Sequence, residues 1–310
     1  MSQSFKERCD IMYDKGTPII SDAQYDNLFG EGATIGRPGY SEDIKHPFQM
    51  YSLQKHYTED GEPPIPVKDC IKTPKLDGAA CCLVYIDGEL SRATTRGDGI
   101  AGKVITEKLK LLVPNSIKTN EPLIQITGEI VALASVENSR NQAAGSLGLK
   151  SIEDFKIRME EIGLKFIAYS TTSIEASYKL SLAGLALKGF STVIGDCSGF
   201  PTDGEVYRIE RQQDYIAAGF TSKHPKGAFA WKEKQEVVQT KLLDVIWQVG
   251  KSGKATPIAI LDPVVIGEAT VAKATLNNMA FIDNLGLTLG CTVELIRAGE
   301  IIPEIVGRAD

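Results

Sequence analysis

Two apolar runs, Ala79–Ile86 and Glu89–Thr94, are separated only by Asp87-Gly88. An Asp-Gly pair between such runs is a strong hairpin signal, because both turn positions need positive φ. The chain must therefore build antiparallel sheet here. The hairpin constrains the next segment, in which Gly97, Gly99 and Gly102 spell G-x-G-x-x-G. The spacing belongs to a phosphate-binding turn only when a βαβ unit carries it. Here the preceding strand is half of a hairpin, and Asp98 puts an acid where a pyrophosphate would sit. We read the stretch as a glycine-rich turn.

Around the hairpin the pattern changes twice along the chain. Residues 1–47 read as a small helical unit. Phe5–Tyr13 has helical character, and Ser21-Asp22-Ala23-Gln24 has the form of a capping box that starts a second helix through Leu28 and Phe29. A glycine-rich loop follows from Gly30 to Gly39. Residues 48–235 mix strands and helices. Pro122–Leu133 and Leu164–Ser170 read as strands. Ile152–Ile162, Tyr178–Lys188 and Ile209–Ala218 read as helices, each stopped by a glycine. Lys103–Lys110 is charged and amphipathic, which predicts a solvated helix face. Residues 236–310 read as strands alone: Leu242–Val249, Ile258–Ile260, Val264–Ile266, Thr270–Lys273 and Thr292–Arg297. That spacing predicts a small OB-like barrel. The fold class is α+β, with a mixed middle domain and an all-β C-terminal one.

Composition removes several alternatives. No stretch of the 310 residues approaches the ~20 apolar residues of a membrane span. MSQSFKERCD lacks the apolar core of a signal peptide, so a cytoplasmic protein with no membrane partner is expected. The six cysteines form no C-x2-C pair, which argues against a structural zinc site. Cys81 and Cys82 read as core residues. His46, His56 and His224 are not at metal-ligand spacing and are expected on loops or at the surface. The net charge of −6 does not advertise nucleic-acid binding, which would need local basic patches.

Charged residues recur at the ends of apolar strands. Lys75-Leu76-Asp77-Gly78 stands just before the hairpin, and Arg96 just after it. Glu129 lies inside QITGEIV, where an unpaired carboxylate is costly; ligand or metal duty is one reading and pairing with Arg140 the other. Asp203 and Arg208 lie in DGEVYR, and Lys232 closes AFAWK. Taken one at a time, each is more often structural. Taken together they describe a lysine amine that attacks a phosphate held by cationic clamps. A free lysine has a pKa of about 10.4, so a nucleophilic one needs burial or neighbouring cations.

With these residues in hand, the chain resembles the bacterial-type NAD-dependent DNA ligases along nearly its whole length. SDAQYD (21–26), the loop Met50–Leu53, KLDG, TRGDG, GEI (128–130) and SRNQAAGSL (139–147) occur in the family's order. DGEVYR, GFTSKHPKGAFAWK (219–232), QVGKSGKATPIA (248–259), ATLNN (274–278) and RAGEIIPEIV (297–306) come after them. The blocks RNQAAGSL and GKATP are far more specific than K-x-D-G. The resemblance implies a nucleotidyltransferase domain of ATP-grasp-like type followed by an OB-fold domain. It implies that Lys75 takes AMP from NAD+, with Asp77, Arg96, Glu129, Asp203, Arg208 and Lys232 in the catalytic set. Glu129 and Asp203 would hold Mg²⁺. Tyr13, Asp22, Tyr25 and Asp26 would grip the nicotinamide end, and Ser52 and Leu53 would lie on the adenine side. The AMP acceptor would be the 5′-phosphate at a nick in double-stranded DNA.

Several positions depart from the family. Its acid two residues before the nucleophile is Thr73 here, its lysine in the DGVVIK-like block is Arg208, its acid after Gly102 is Lys103, and an arginine after AAGSL is Gly148. The family continues beyond the barrel with zinc and helix-hairpin-helix modules. A short or split form, of viral type for example, served by a second subunit carrying those modules, is the leading expectation; a truncation is another. A non-catalytic DNA-binding or assembly subunit that keeps the fold is the competing reading. An ATP-using ligase or capping-like transferase is disfavoured by SDAQYD and RNQAAGSL.

Overall fold

The computed structural model describes residues 4–30, 34–35, 43–173, 175–232, 237–249, 255–267, 269–298 and 302–310. Most of the glycine-rich stretch after Gly30 and parts of QVGKSGKATPIA and RAGEIIPEIV lie outside these residues. The chain forms two compact units, Met1–Lys232 and Glu233–Asp310.

In the first unit the hairpin forms as its turn residues require. Asp87 and Gly88 both take positive φ, 51° and 82°, and Ala79–Ile86 pairs antiparallel with Glu89–Thr95. The pair belongs to a five-stranded sheet in the order Ser191–Thr192, Lys165–Thr171, Leu123–Val131, Ala79–Ile86, Glu89–Thr95. Side chains alternate across a strand, and here the alternation separates two cores. Cys81, Leu83 and Tyr85 pack with Phe155 and Leu182 of the helices Ile152–Glu161 and Tyr178–Leu187. Cys82 and Val84 face the N-terminal helices through Phe5 and Cys9. Both faces are covered, which is why this strand reads as a continuous apolar run. The N-terminal helices, Phe5–Asp14 and Asp22–Phe29, both begin with a complete capping box, Ser4 with Glu7 and Ser21 with Gln24.

A four-stranded sheet, Gln54–Tyr57, Ala228–Lys232, Thr202–Ile209 and Cys70–Leu76 in that order, completes the frame of the site. The helix expected over Ile209–Ala218 begins only at Gln212, because Ile209 still pairs with Cys70 as the last residue of its strand. Lys103–Lys110 is not one solvated face. Lys103 ends a strand, the helix is only Thr106–Leu109, and Leu109 is fully buried. The histidine expectation fails for His56, which lies in a strand and is 5% exposed; His46 does lie in a loop, but is only 2% exposed. His56 packs edge-on against Phe229 and Trp231.

The second unit is a closed five-stranded barrel. Ile258–Ile260 and Val264–Ile266, read as two strands, are one strand, Ala255–Ile266, with a register shift between them. Pro263 lies in the shift, where a residue without an N–H costs no ladder bond. A short helix, Met279–Asn284, was not expected; Asn278 caps it by accepting from the Phe281 amide. Leu242, Leu261, Val293, Leu295 and Ile305 fill the interior.

Candidate active site

The site lies where the chain passes from one sheet to the other. Strand Cys70–Leu76 ends in the four-stranded sheet, and Asp77-Gly78 leads into Ala79–Ile86 of the five-stranded one. Gly78 is required at the crossing, since a Cβ there would sit 2.2 Å from the Ile130 carbonyl oxygen. The Asp77 amide donates to the Pro201 carbonyl at 2.9 Å, and its carboxylate pairs with Arg140 at 3.1 Å. Arg140 thus bonds Asp77.

Val206 is registered between Thr73 and Ala230 on its two neighbouring strands. Alternation from that point puts Lys75 and Lys232 on one face. Between Thr202 and Glu205 the pairing is irregular, and Gly204 takes φ +133°. The irregularity turns Asp203 between the two lysines. Its Oδ1 accepts from Lys75 Nζ at 2.8 Å, and its Oδ2 accepts from Lys232 Nζ at 2.5 Å. Burial pushes the Asp203 carboxyl up, but the two ammonium groups outweigh it and hold the group below the usual carboxylate range. The triad keeps one positive charge in excess. The Lys75 side chain is 27% exposed and that of Lys232 only 8%. Of the two, Lys75 is open to a ligand.

Glu129 stands opposite Ala80, whose carbonyl accepts from the Arg96 amide at 2.9 Å. Desolvation pushes the Glu129 carboxyl up to about 8, with Lys75 and Arg140 pulling it down and Asp77 and Asp203 pushing it further. A raised folded-state pKa contributes stability below the unfolded value, and that contribution is lost as pH rises toward about 8. Glu129→Gln is therefore expected to flatten the decline in stability across that window. Urea midpoints at about pH 5 and about pH 9 check it, and an unchanged slope in the variant would refute the assignment.

Arg96 is part-buried, and its Nε is buried without a hydrogen-bond partner in the protein. Arg208 is not held as a free phosphate clamp. Its guanidinium lies between the rings of Tyr178 and Tyr215, 4.1 and 3.9 Å from their centroids, and Nη2 donates to Gln212 at 2.8 Å. Arg208 Nη1 is buried and unpartnered in the protein. Buried donors left open on Arg96 and Arg208 suit an anionic, hydrogen-bond-rich ligand such as a nucleotide. Thr73 is buried, and the Tyr178 hydroxyl donates to the Tyr169 carbonyl at 2.9 Å. Ser52 Oγ donates to the Lys223 carbonyl at 3.1 Å, and Leu53 beside it is part-buried.

Tyr13, Asp22, Tyr25 and Asp26 do converge, on a cavity of about 420 Å³ in the N-terminal helical region. Asp10 and Asp14 also line it, and the Tyr25 hydroxyl donates to Asp10. Four aspartates make this cavity anionic, opposite in sign to the Lys75 cleft. Sequence reading missed Asp10, Tyr178 and Tyr215. Asp10 looked like an ordinary helix-surface acid, and the tyrosines' only signal was aromatic residues near helix starts.

A Mg²⁺ site built from Glu129 and Asp203 does not fit this geometry. Both Asp203 oxygens already accept from ammonium groups. Among the described residues no group of three or more His, Cys, Asp or Glu side chains gathers as a metal site. Among them, too, no helix is long and apolar enough to cross a membrane.

Comparison with known proteins gives the family and the fold. Residues 40–193 match the NAD-dependent DNA ligase adenylation domain, and residues 239–310 match the NAD-dependent DNA ligase OB-fold domain. A DNA ligase of Nocardia farcinica is 31% identical over 96% of this chain and 53% of its own length. One from Chelativorans is 30% identical over all of this chain and 54% of its own. The chain thus spans about half the length of the curated relatives it matches. A solved structure from a study of DNA binding with a minimal scaffold in Lig E DNA ligases shares the fold. Its TM-score is 0.51 at 14% identity, covering 84% of this chain and all of that one.

Proposed function

The chain belongs to the NAD-dependent DNA ligase family, and we propose that it performs the family's adenylation step with Lys75 as nucleophile. The Lys75 amine, once deprotonated, attacks the AMP phosphorus of NAD+. An N–P bond forms, the P–O bond to nicotinamide mononucleotide breaks, and the displaced phosphate oxygen carries the electron pair away. The observation that carries this reading is the Lys75–Asp203–Lys232 bridge. It orients a partly exposed amine in a cleft with excess positive charge. Arg96 and Lys232 hold phosphate oxygens, Asp77 is fixed by Arg140, and Glu129 in its protonated form donates to the nucleotide. Arg208 contributes its open Nη1 from between the tyrosines. Ser52 and Leu53 flank the adenine side. AMP then passes to the 5′-phosphate of a nick in double-stranded DNA, and the 3′-hydroxyl displaces it. The cofactor assignment is to NAD+; no step is routed through Mg²⁺, because the carboxylates do not form its site.

The anionic cavity supports the nicotinamide end of this assignment, because a pyridinium ring is a cation. Asp22, Asp26, Tyr13 and Tyr25 line it. Asp26→Ala is expected to slow adenylation by NAD roughly tenfold or more by removing one near charge, and to spare sealing of pre-adenylated nicked DNA. Normal NAD labelling by the variant would remove Asp26 from the assignment. The test of the whole reading is intact mass after incubation with NAD and Mg²⁺, in parallel with ATP. A gain of one AMP with NAD alone supports it, and a gain with ATP alone overturns the cofactor. No gain with either moves weight to a non-catalytic subunit.

A further inference from the structure

His46 is among the most buried polar residues of the protein, and both its ring nitrogens are engaged. Nε2 lies 3.0 Å from the Arg96 carbonyl oxygen, and Nδ1 lies 3.1 Å from Thr94 Oγ1 and 3.5 Å from Cys82 Sγ. A carbonyl can only accept, so Nε2 carries the proton and Nδ1 accepts from the Thr94 hydroxyl. The partners thereby select one neutral tautomer. Burial holds the ring below the ordinary histidine range and keeps it neutral.

The ring belongs to a larger brace. The His46 amide donates to the Ile100 carbonyl and the Met50 amide to the Gly99 carbonyl, both at 2.8 Å. Within the turn, the Gly99 amide donates to the Arg96 carbonyl at 3.0 Å. Gly97 and Gly99 take φ of 58° and 94°, conformations other residues resist. Two backbone bonds therefore hold the turn as a whole. The imidazole adds a side-chain bond to the Arg96 carbonyl, which also accepts from the Gly99 amide, while the Arg96 amide donates to the Ala80 carbonyl. The Arg96 side chain meanwhile has a buried Nε with no protein partner, so nothing at that atom fixes its direction.

We propose that His46 is a positioning residue for the adenylation step, holding the Arg96 peptide so that its guanidinium meets the nucleotide. This rests on the proposed role of Arg96 as a nucleotide contact. Asparagine reaches the Nδ1 position and not Nε2, so His46→Asn keeps the Thr94 partner and loses the Arg96 bond. Glutamine reaches the Nε2 position, so His46→Gln restores it. Because the two backbone bonds remain, both variants are expected to melt as one folded species.

The experiment measures single-turnover formation of Lys75-AMP against NAD concentration for wild type, H46N, H46Q, R96A and H46N/R96A. H46N is expected to lower the rate at saturating NAD by about tenfold, with a smaller change in the NAD concentration giving half-maximal rate. H46Q is expected to return to within about threefold of wild type. In the R96A background H46N is expected to cost less than about twofold more, since both act through one group. Should H46N fail to fold, Thr94→Val serves as the second variant, leaving the ring and removing the hydroxyl that bonds its Nδ1. It is expected to slow the step in the same direction and to be masked by R96A. Independent, multiplying losses from either variant and R96A would overturn the proposal, as would an H46Q no faster than H46N. If R96A alone matches wild type, the reading of Arg96 fails, while loss of adduct in Lys75→Ala would still leave adenylation standing.

Discussion

Replacing Lys75 by alanine is expected to abolish the gain of one AMP mass on incubation with NAD and Mg²⁺, without residual labelling at another lysine. The neighbours are badly placed to substitute. Lys72 lies one strand face away, bonded to Glu205 at 2.7 Å and well exposed. Lys232 is nearly buried, with its ammonium held at 2.5 Å against Asp203. Lysine and arginine differ in a useful way here. Arginine keeps the charge but cannot be deprotonated to act as an amine nucleophile. Lys75→Arg should therefore retain an ion pair to Asp203 and melt close to wild type, yet form no adduct. Intact-mass spectrometry and a thermal melt on the two variants separate chemistry from folding. An adduct surviving in Lys75→Ala would move the nucleophile elsewhere, and the geometric case for this cleft would go with it.

What could be read before the fold was known divides by range along the chain. Local signals served well. Asp87-Gly88 gave its hairpin, Ser21 and Gln24 gave a capping box, and the closing strands gave a barrel. Elements lacking apolar period were missed. Ser139–Leu147 is a helix of small and polar residues, and its leading residue, Asn138, takes φ 50° without a side-chain cap, so neither stripe nor cap advertised it. Membership of the site was legible as a set of charges, but their pairing was not. Lys75 meets Asp203 from 128 residues away, and Asp77 takes Arg140. Both depend on which strand lies beside which, and on the irregularity at Gly204. The burial of His46 was hidden for the same reason: its partners are Thr94 of the far hairpin strand and Arg96 just beyond it.

Removing Asp203 should have the second-largest effect, and two separable causes. Asp203→Ala leaves the buried Lys232 ammonium without the carboxylate it bonds. Breaking a buried pair from one side typically costs about 3–5 kcal/mol, because the remaining charge stays desolvated. The partial exposure of Lys75 lets water solvate that end, so a loss of about 3 kcal/mol is expected. Chemical denaturation measures it. The same change frees the Lys75 amine from its anchor, and a misplacement of about 1 Å is enough to slow adenylation by about 100-fold. A double variant separates the two causes. Lys232→Met replaces the stranded cation by an apolar chain of similar length, and buried ion pairs replaced whole by apolar groups are often near neutral in stability. Asp203→Ala/Lys232→Met should thus recover at least about 1 kcal/mol over Asp203→Ala, while its adenylation stays as slow or slower. If stability returned together with activity, Asp203 would be serving only to neutralise Lys232. If neither returned, the bridge would not be the source of the loss, and the irregular backbone at Gly204 would be the place to look.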